Sequence, residues 1–360
     1  MIISGGGTGG HLFPALAIAE EFKGRNKDND VLFLGSRKGI EARILPVEGW
    51  ALRFISSGGI KGKGPMAVVG GLMKMILGTL QSMRYICDFR PSLVLGMGGY
   101  VSAPAIIAGR MKGIKTAIHE QNAMPGLANR LLGRVVHKVF LTYPESERFF
   151  SPCKVVVSGN PVRKKIVEAF SGLEVRKVKE ESFTLLIFGG SRGARKLNEV
   201  VPAAVAELET KGLKGLKIIH QSGDEDFEMV KNAYGRTGAD VKIYKFIDDM
   251  AEAYAHADLV ICRAGATSIA ELLAAGKASI LIPYPYAADD HQRLNAEAVV
   301  HGGAARMILD RDLSAQSLVV EVSSLYENME GLSTMSEMAR NMSRPEASSL
   351  ICDALGELVS

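Results

Sequence analysis

Two glycine-rich segments, one in each half of the chain, constrain the fold more than any other feature. The first is GGGTGGH at residues 5–11, directly after apolar residues 1–3, and the second is GGSRG at 189–193, directly after apolar residues 185–188. Glycine lets the backbone approach a phosphate or a sugar closely, and a helix that follows offers unpaired N–H groups at its positive end. A chain that builds this turn twice is predicted to form two α/β domains that face each other across a cleft.

Short apolar runs alternate with helical patterns along the chain. They lie at 31–34, 93–95, 116–118 and 139–141 in the first half, and at 185–188, 217–219, 241–244, 259–261 and 279–282 in the second. Continuous apolar strands separated by helices are typical of doubly wound parallel sheets covered on both faces. We predict domains at 1–158 and 164–344 and a linker at 159–163, where the sequence has turn chemistry. A C-terminal helix within 345–360 can pack back on the first domain.

Composition limits the kinds of partner. The 360 residues include 43 Lys and Arg against 39 Asp and Glu, a net charge of +4. This bias is too small to predict nucleic-acid binding, but it suits an anionic substrate or an anionic membrane surface. The cysteines lack the spacing of a zinc site or a redox motif, which favours reduced core thiols in the cytosol. The chain enters a strand at once, so no signal peptide is expected.

Three polar or glycine-rich segments follow strands of the first half. His11 falls in the first turn of a helix, whose positive end favours the neutral imidazole that a general base needs; capping the helix or binding a ligand is the alternative. A second glycine loop with Gly98, Gly99 and Tyr100 suits a diphosphate on a second substrate. The segment HEQN at 119–122 stands where α/β folds bind ligands, unless it is a plain polar loop.

The glycines of the first segment also match a dinucleotide fingerprint. Gly5, Gly7 and Gly10 have the G-x-G-x-x-G spacing. An NAD site needs an acid at the end of the second strand, and that strand ends in GSRK at 35–38. Only an NADP site with Arg37 on the 2′-phosphate fits this pattern. Close packing of the helix on the strand is a further explanation of the glycines.

A second turn into a helix occurs in the second half, with the sequence RAGATSIAE at 263–271. Glu271 lies one turn inside that helix, where its carboxylate can accept both hydroxyls of a ribose; an ordinary solvated glutamate is the alternative. The segment DDHQ at 289–292 closes the same edge. Neither an Asp-x-Asp at a strand end nor an HExxH motif occurs, so no tightly held metal is expected, and helix N-termini would carry the leaving-group charge.

Together these segments resemble the bacterial peptidoglycan glycosyltransferase family MurG over nearly the whole chain. The matching residues are 6–11, 96–102, 119–122, 159–163, 189–195, 246–250, 263–271, His291, Gln292 and Asn295. The resemblance implies a GT-B fold of two Rossmann-like domains, with the donor UDP-N-acetylglucosamine held mainly by the second and the lipid acceptor by the first. It implies inverting transfer of N-acetylglucosamine to lipid I (undecaprenyl-pyrophosphoryl-N-acetylmuramyl-pentapeptide) to give lipid II, with no cofactor.

The resemblance also implies roles for individual residues. Ile247 meets the uracil through its backbone, and Glu271 holds the ribose. The other implied donor contacts are Ser191 and Arg163 at the pyrophosphate, Ala266, Thr267 and Ser268 beside them, Gln292 at the sugar, and Thr8, Gly9, Gly10 and Asn122 from the first domain. Glu120 rivals His11 as the base, because a neighbouring diphosphate would increase its affinity for a proton. Arg192 and His291 stand where the family often has Gln, which puts fine donor contacts in doubt.

The apolar residues 66–80 are too short to span a bilayer but resemble the membrane-docking patch of this family. Lys61, Lys63 and Arg84 bracket them and Lys74 lies among them, an arrangement that suits the anionic inner leaflet at the cytoplasmic face of the membrane. A buried core helix is the alternative. Cell-wall synthesis proteins are possible further partners.

Four rival functions stay open at this point. They are a GT-B transferase with another acceptor, a UDP-sugar epimerase, an NADP-dependent oxidoreductase and a bilobed solute-binding protein.

Overall fold

The computed structural model describes residues 1–58, 65–172, 182–190, 193–213, 215–235 and 237–359, without the side chains of 65–68. Within these residues the chain forms two compact units. Unit 1 comprises Met1–Arg163 and Arg344–Ser360, and unit 2 comprises Lys164–Ser343.

Unit 1 contains a parallel sheet covered by helices. Its strands are β1 (Ile2–Ser4), β2 (Leu32–Gly35), β3 (Ala51–Phe54), β4 (Leu93–Gly96), β5 (Lys115–Glu120), β6 (Lys138–Leu141) and β7 (Val155–Val157). Its helices are α1 (Gly9–Arg25), α2 (Glu41–Val47), α3 (Pro65–Phe89), α4 (Ser102–Met111) and α5 (Leu127–Leu132). The strand order is β3-β2-β1-β4-β5-β6-β7, with every ladder parallel.

Unit 2 repeats this architecture. Its strands are β8 (Phe183–Phe188), β9 (Leu216–Gln221), β10 (Asp240–Tyr244), β11 (Leu259–Cys262), β12 (Ser279–Leu281) and β13 (Ala305–Met307). Its helices are α6 (Lys164–Phe170), α7 (Arg195–Thr210), α8 (Phe227–Tyr234), α9 (Met250–His256), α10 (Ala266–Ala274), α11 (His291–His301), α12 (Ala315–Glu327) and α13 (Met329–Met342). The order is β10-β9-β8-β11-β12-β13, again all parallel.

The fold class predicted from the apolar runs is confirmed, because each run forms a strand of one of these two sheets. The central strands β1, β2, β4, β8 and β11 are buried along their whole length, as continuous apolar runs require. The pattern misses β3, β7 and β13. All three lie at sheet edges, where side chains are partly exposed and the apolar signal is weak.

The C-terminal helix α14 (Ala347–Val359) packs on α1 in unit 1. Its Ile351 and Leu355 join the core that also contains Leu12. The Arg25 guanidinium donates to Asp353 at 2.6 Å. Cys262 and Cys352 are buried, whereas Cys87 and Cys153 are exposed, so the expectation of four core thiols is wrong for the latter two.

Candidate active site

The strand order of unit 1 reverses direction between β1 and β4, the point at which open α/β sheets bind ligands. Ser4 at the end of β1 lies opposite Gly96 at the end of β4, and β5 is the next strand. The first glycine segment, the GMGGY loop and HEQN therefore leave three neighbouring strand ends. The topology brings together the three segments that the sequence singles out in the first half.

The His11 imidazole occupies the centre of this strand-end cluster. Its Nδ1 lies 3.2 Å from Oε1 of Gln121, whose Nε2 donates to the Met97 carbonyl at 2.8 Å. Gly98 lies against the ring with φ +94°, and a Cβ there would stand 2.8 Å from the imidazole. Only glycine combines this backbone conformation with this close approach.

The rest of the predicted phosphate-binding residues in unit 1 line the same edge. Thr8, Gly10 and Tyr100 are exposed, whereas Gly9 and Gly99 are partly covered. Thr8 precedes the first residue of α1, a helix of 17 residues whose positive end faces the loop. The edge therefore offers backbone donors and exposed side chains to an anionic ligand.

Glu41, which no sequence motif singled out, holds the first glycine loop in place through its carboxylate. Its side chain is fully buried. It accepts hydrogen bonds from the backbone N–H groups of Gly7 and Ser36, both at 2.8 Å. A Cβ at Gly6 or Gly39 would overlap the Glu41 carboxylate. Because these glycines lack a Cβ, the structural carboxylate of Glu41 fits next to the end of β2. Its presence argues against a dinucleotide at that position. In the sequence, the glycines near Glu41 were the only indication of this structural role.

Glu120, the second candidate base, is only 2% exposed and its carboxylate accepts four hydrogen bonds. They come from the backbone and side chain of Asn122, the backbone of Gly126 and the side chain of Asn129. The structure therefore places Glu120 where it organises the loop from 121 to 126. Asn122 is half-buried and held in place by the same carboxylate.

Two further residues of the motifs in unit 1, His119 and Arg163, have defined partners. Burial lowers the pKa of His119 to about 4, so this imidazole is neutral, and it hydrogen-bonds the Gly159 carbonyl at 3.1 Å. The Arg163 guanidinium stacks on the ring of Phe13, 4.5 Å from its centroid. Since Phe13 belongs to α1, Arg163 lies beside the helix that carries His11.

Unit 2 has a corresponding crossover between β8 and β11, where Phe188 lies opposite Cys262. Gly189 and Gly190 leave β8, while Ser191 and Arg192 lie outside the described residues. Gly265 precedes α10. The first turn of that helix contains Ala266, Thr267 and Ser268, of which the first two are buried.

Glu271 lies further along α10 and is 5% exposed. The Tyr254 hydroxyl donates to its Oε2 at 3.3 Å. The interpretation of Glu271 as an ordinary solvated glutamate is wrong, because the side chain is buried and oriented by a partner.

Gln221, also missed from the sequence, joins two segments of the predicted donor site. It ends β9, donates from Nε2 to the Gly190 carbonyl at 2.9 Å and accepts at Oε1 from the Ile247 backbone N–H at 2.8 Å. The glycine loop and the segment at 246–250 are therefore held together by one side-chain amide. Of the two backbone groups through which Ile247 could meet uracil, the N–H is already hydrogen-bonded within the protein.

The segment that closes this edge contains a strained turn. Asp289 and Asp290 have φ values of +53° and +55°. Gln292 accepts from the Tyr284 backbone N–H at 2.9 Å, and His291 Nδ1 lies 2.8 Å from the Ala288 carbonyl. Among the residues that the structure describes, no group of three or more His, Cys, Asp or Glu side chains could hold a metal ion.

Helix α3 turns an apolar face to solvent. Six large apolar side chains are between 49% and 63% exposed, namely Val69, Leu72, Met73, Ile76, Leu77 and Leu80. The opposite face is lined with small residues: a Cβ at Gly78 would stand 2.1 Å from the Ser56 carbonyl, and Ser82 is fully buried. The alternative of a buried core helix is therefore wrong for this face. No described helix is both long and apolar enough to cross a bilayer.

Comparison with known proteins identifies the family. Profiles of the glycosyltransferase family 28 N-terminal and C-terminal domains match residues 1–141 and 184–351. A curated relative from Geobacter sp. (strain M21), named UDP-N-acetylglucosamine--N-acetylmuramyl-(pentapeptide) pyrophosphoryl-undecaprenol N-acetylglucosamine transferase, is 47% identical over 356 residues, which cover 99% of this chain and 95% of the relative. The crystal structure of Acinetobacter baumannii MurG matches with a TM-score of 0.80 at 33% identity, with 99% of each chain covered. The chain belongs to the MurG family.

Membership of the MurG family confirms the resemblance seen in the motifs. A UDP-GlcNAc 2-epimerase from Neisseria meningitidis bound to UDP-GlcNAc also matches, with a TM-score of 0.70 at 13% identity, and covers 99% of this chain and 98% of its own. At that identity the likeness shows a shared fold alone. The family assignment therefore decides against the epimerase, the oxidoreductase and the solute-binding protein.

Proposed function

We infer that this chain is an inverting glycosyltransferase that moves N-acetylglucosamine from UDP to lipid I and so makes lipid II for peptidoglycan. The observation that carries the proposal is the 47% identity, over almost the whole chain, with a curated relative named for that reaction. The arrangement of glycine loops at the crossover point of both sheets supports it, because transfer between two diphosphate-bearing substrates needs two anion-binding edges.

The donor binds mainly to unit 2 in this proposal. The carboxylate of Glu271, oriented by Tyr254, holds the ribose hydroxyls. Because Gln221 occupies the Ile247 N–H, the carbonyl of Ile247 is the group that reads uracil. The other proposed donor contacts are Ala266, Thr267, Ser268 and Gln292 of unit 2, Ser191 outside the described residues, and Thr8, Gly9, Gly10, Asn122 and Arg163 of unit 1.

The acceptor binds to unit 1 in this proposal. Gly98, Gly99 and Tyr100 bind its diphosphate, and His11 at the same strand-end cluster accepts the proton of the attacking hydroxyl. The acceptor oxygen forms a bond to the anomeric carbon while the bond from that carbon to the phosphate oxygen breaks, and UDP leaves. Positioning and electrostatic stabilisation of UDP supply most of the rate.

The exposed face of α3 docks on anionic lipid at the cytoplasmic face of the membrane, where the lipid acceptor lies. The exposed apolar side chains of this helix enter the interface. Exposed Lys74 and Arg84 of the same helix meet lipid phosphates, together with Lys61 and Lys63, which lie outside the described residues.

A single transfer assay tests the proposed function. Radiolabelled UDP-N-acetylglucosamine is incubated with a lipid I analogue, and the product is examined for a β-linked disaccharide. We expect label in the lipid product only when both substrates are present. Conversion of the nucleotide sugar without acceptor, or transfer to an unrelated sugar acceptor in place of the analogue, would contradict the proposal.

A further inference from the structure

The side-chain amide of Gln121 has one possible orientation in this structure. Gln121 is only 2% exposed, and its Nε2 lies 2.8 Å from the Met97 carbonyl oxygen. A carbonyl oxygen can only accept a hydrogen bond, so the NH₂ group of the amide must face Met97. If the amide were turned around, two oxygens would meet in a buried environment, at the cost of a lost hydrogen bond and a repulsion.

This orientation determines which nitrogen of His11 carries the proton. With its NH₂ group on Met97, Gln121 presents Oε1 to His11 Nδ1 at 3.2 Å. An amide oxygen has no proton to donate, so Nδ1 must be the donor. In the neutral imidazole the lone pair then resides on Nε2.

The surrounding backbone holds the ring in this position. Gly98, with φ +94°, brings its Cα against the imidazole, and any side chain there would meet the ring at 2.8 Å. The Ser102 hydroxyl, which has one proton to share, lies 2.6 Å from the Gly98 carbonyl oxygen and 2.9 Å from the Ser4 carbonyl oxygen, and this ties the loop to the end of β1. The imidazole therefore lies between two strand-end loops whose backbones are fixed by hydrogen bonds.

We propose that Gln121 is a positioning residue that holds His11 in the Nδ1-protonated tautomer, so that Nε2 is the atom that accepts the proton of the acceptor hydroxyl. The first part concerns the protein alone, whereas the second rests on the proposed function. A partner that fixes the tautomer of a catalytic imidazole supports catalysis, because the wrong tautomer has no lone pair at the reacting position and cannot accept the proton.

The tautomer can be measured without any activity. Protein labelled with ¹⁵N-histidine is examined at pH 8 by long-range ¹H–¹⁵N correlation, and His11 is assigned among the seven histidines by comparison with the His11→Gln variant. We expect the Nδ1–H pattern in the parent protein and a gain of the Nε2–H pattern in Gln121→Leu. An Nε2–H pattern in the parent protein would overturn the proposal.

Kinetics then test whether Gln121 acts through His11. We expect Gln121→Leu to lower kcat by about 10- to 100-fold, a part of what general-base catalysis contributes, with the KM for the donor nearly unchanged. Adding Gln121→Leu to His11→Ala should cost nothing further. Additive losses would refute a role through His11. Full turnover by His11→Ala would instead refute His11 as the base while the spectrum still decides the tautomer.

Discussion

His11 and Glu120 both carry the chemistry of a base, and their surroundings separate them. Glu120 uses its carboxylate for four hydrogen bonds to residues of the following loop and of α5. The Nδ1 of His11, at a neighbouring strand end, lies 3.2 Å from Oε1 of Gln121. A carboxylate has about four acceptor positions, and all four are used here within the protein. These surroundings favour His11 over Glu120 as the general base.

Replacement of His11 by Ala should reduce kcat by about 10²- to 10⁴-fold, the range expected when a general base is removed. The KM for the donor should change far less, because most donor contacts are proposed in unit 2. The fall of the rate at acid pH should disappear in this variant, since that fall reports protonation of the base. Glu120→Gln is the control. It should lower the melting temperature but keep the decrease of the rate at acid pH. If the rate of the His11→Ala enzyme still decreases at acid pH, a residue other than His11 is the general base.

Glu271 should determine donor affinity. We expect Glu271→Ala to weaken binding of UDP-N-acetylglucosamine by about tenfold or more, because hydrogen bonds to a charged group contribute roughly 1.5–3 kcal/mol. Isothermal titration calorimetry measures the change directly. Glu228, an exposed glutamate of α8, supplies the matched control, and Glu228→Ala should bind as the parent does. Unchanged affinity in a folded Glu271→Ala protein would remove this residue from the ribose site.

At the scale of elements, α3 inverts the usual pattern of a surface helix. Between residues 69 and 80 its small residues face the protein, which lets the helix approach closely, and its large apolar residues are exposed to solvent; the last turns instead bury Ile86 in the core. A contiguous apolar face of this kind marks an interaction surface. The basic residues around it make anionic lipid the fitting partner.

Substitution on α3 should separate apolar from electrostatic attachment. The triple change of Leu72, Met73 and Ile76 to Gln should reduce sedimentation with vesicles of either charge by about tenfold or more, since each apolar side chain contributes on the order of 1 kcal/mol or more when buried. Replacement of Lys61, Lys63 and Arg84 by Gln should reduce binding to anionic vesicles only, at about 1 kcal/mol per charge.

Turnover of a soluble acceptor analogue should be unaffected by either set of changes. Val320→Gln on α12, where the parent side chain is 54% exposed, is the control for loss of a surface apolar residue and should leave vesicle binding intact. Equal binding of the parent protein to neutral and anionic vesicles would contradict the electrostatic part.

In the molecule as a whole, each unit contains a fully buried neutral histidine in one of the strands of its sheet. Burial lowers the pKa of His119 in unit 1 to about 4 and that of His220 in unit 2 to about 3. In the unfolded chain both titrate near 6.5. Between these values the unfolded state binds protons that the folded state refuses, so stability falls as the pH decreases.

The free energy of unfolding should therefore fall as the pH is lowered from about 6.5 to 4, with up to about 3 kcal/mol attributable to His119 at roughly 1.4 kcal/mol per pKa unit. Urea unfolding at pH 7.5 and pH 5, followed by fluorescence, reports on unit 1, because the single tryptophan, Trp50, lies there. His119→Gln should be less stable at pH 7.5 but lose less on acidification than the parent. His301→Gln, at an exposed position, should keep the parent pH dependence. If the free energy of unfolding decreased equally in the parent and in His119→Gln between pH 7.5 and pH 5, this account would be contradicted.

The amino-acid sequence was enough to predict the two parallel sheets, their central strands and the order of the loops at their ends. It could do so because apolar runs, glycine turns and helix starts are local signals, each readable within about ten residues. The MurG resemblance depends on the same local segments, and their order along the chain identified the family. Partly exposed edge strands such as β3 and β13 gave no such signal.

Which of these polar side chains support the loops became visible only in the folded chain. Glu120 and His11 look equally suitable in the sequence. In the structure the Glu120 carboxylate accepts from the following loop and from Asn129 of α5, whereas His11 meets Gln121 from 110 residues away. Glu41 and Gln221 gained their roles from partners in the loops that follow other strands, namely Gly7 after β1, Gly190 after β8 and Ile247 after β10. Hydrogen bonds between distant segments exist only after the sheets have formed, so no local pattern could encode them.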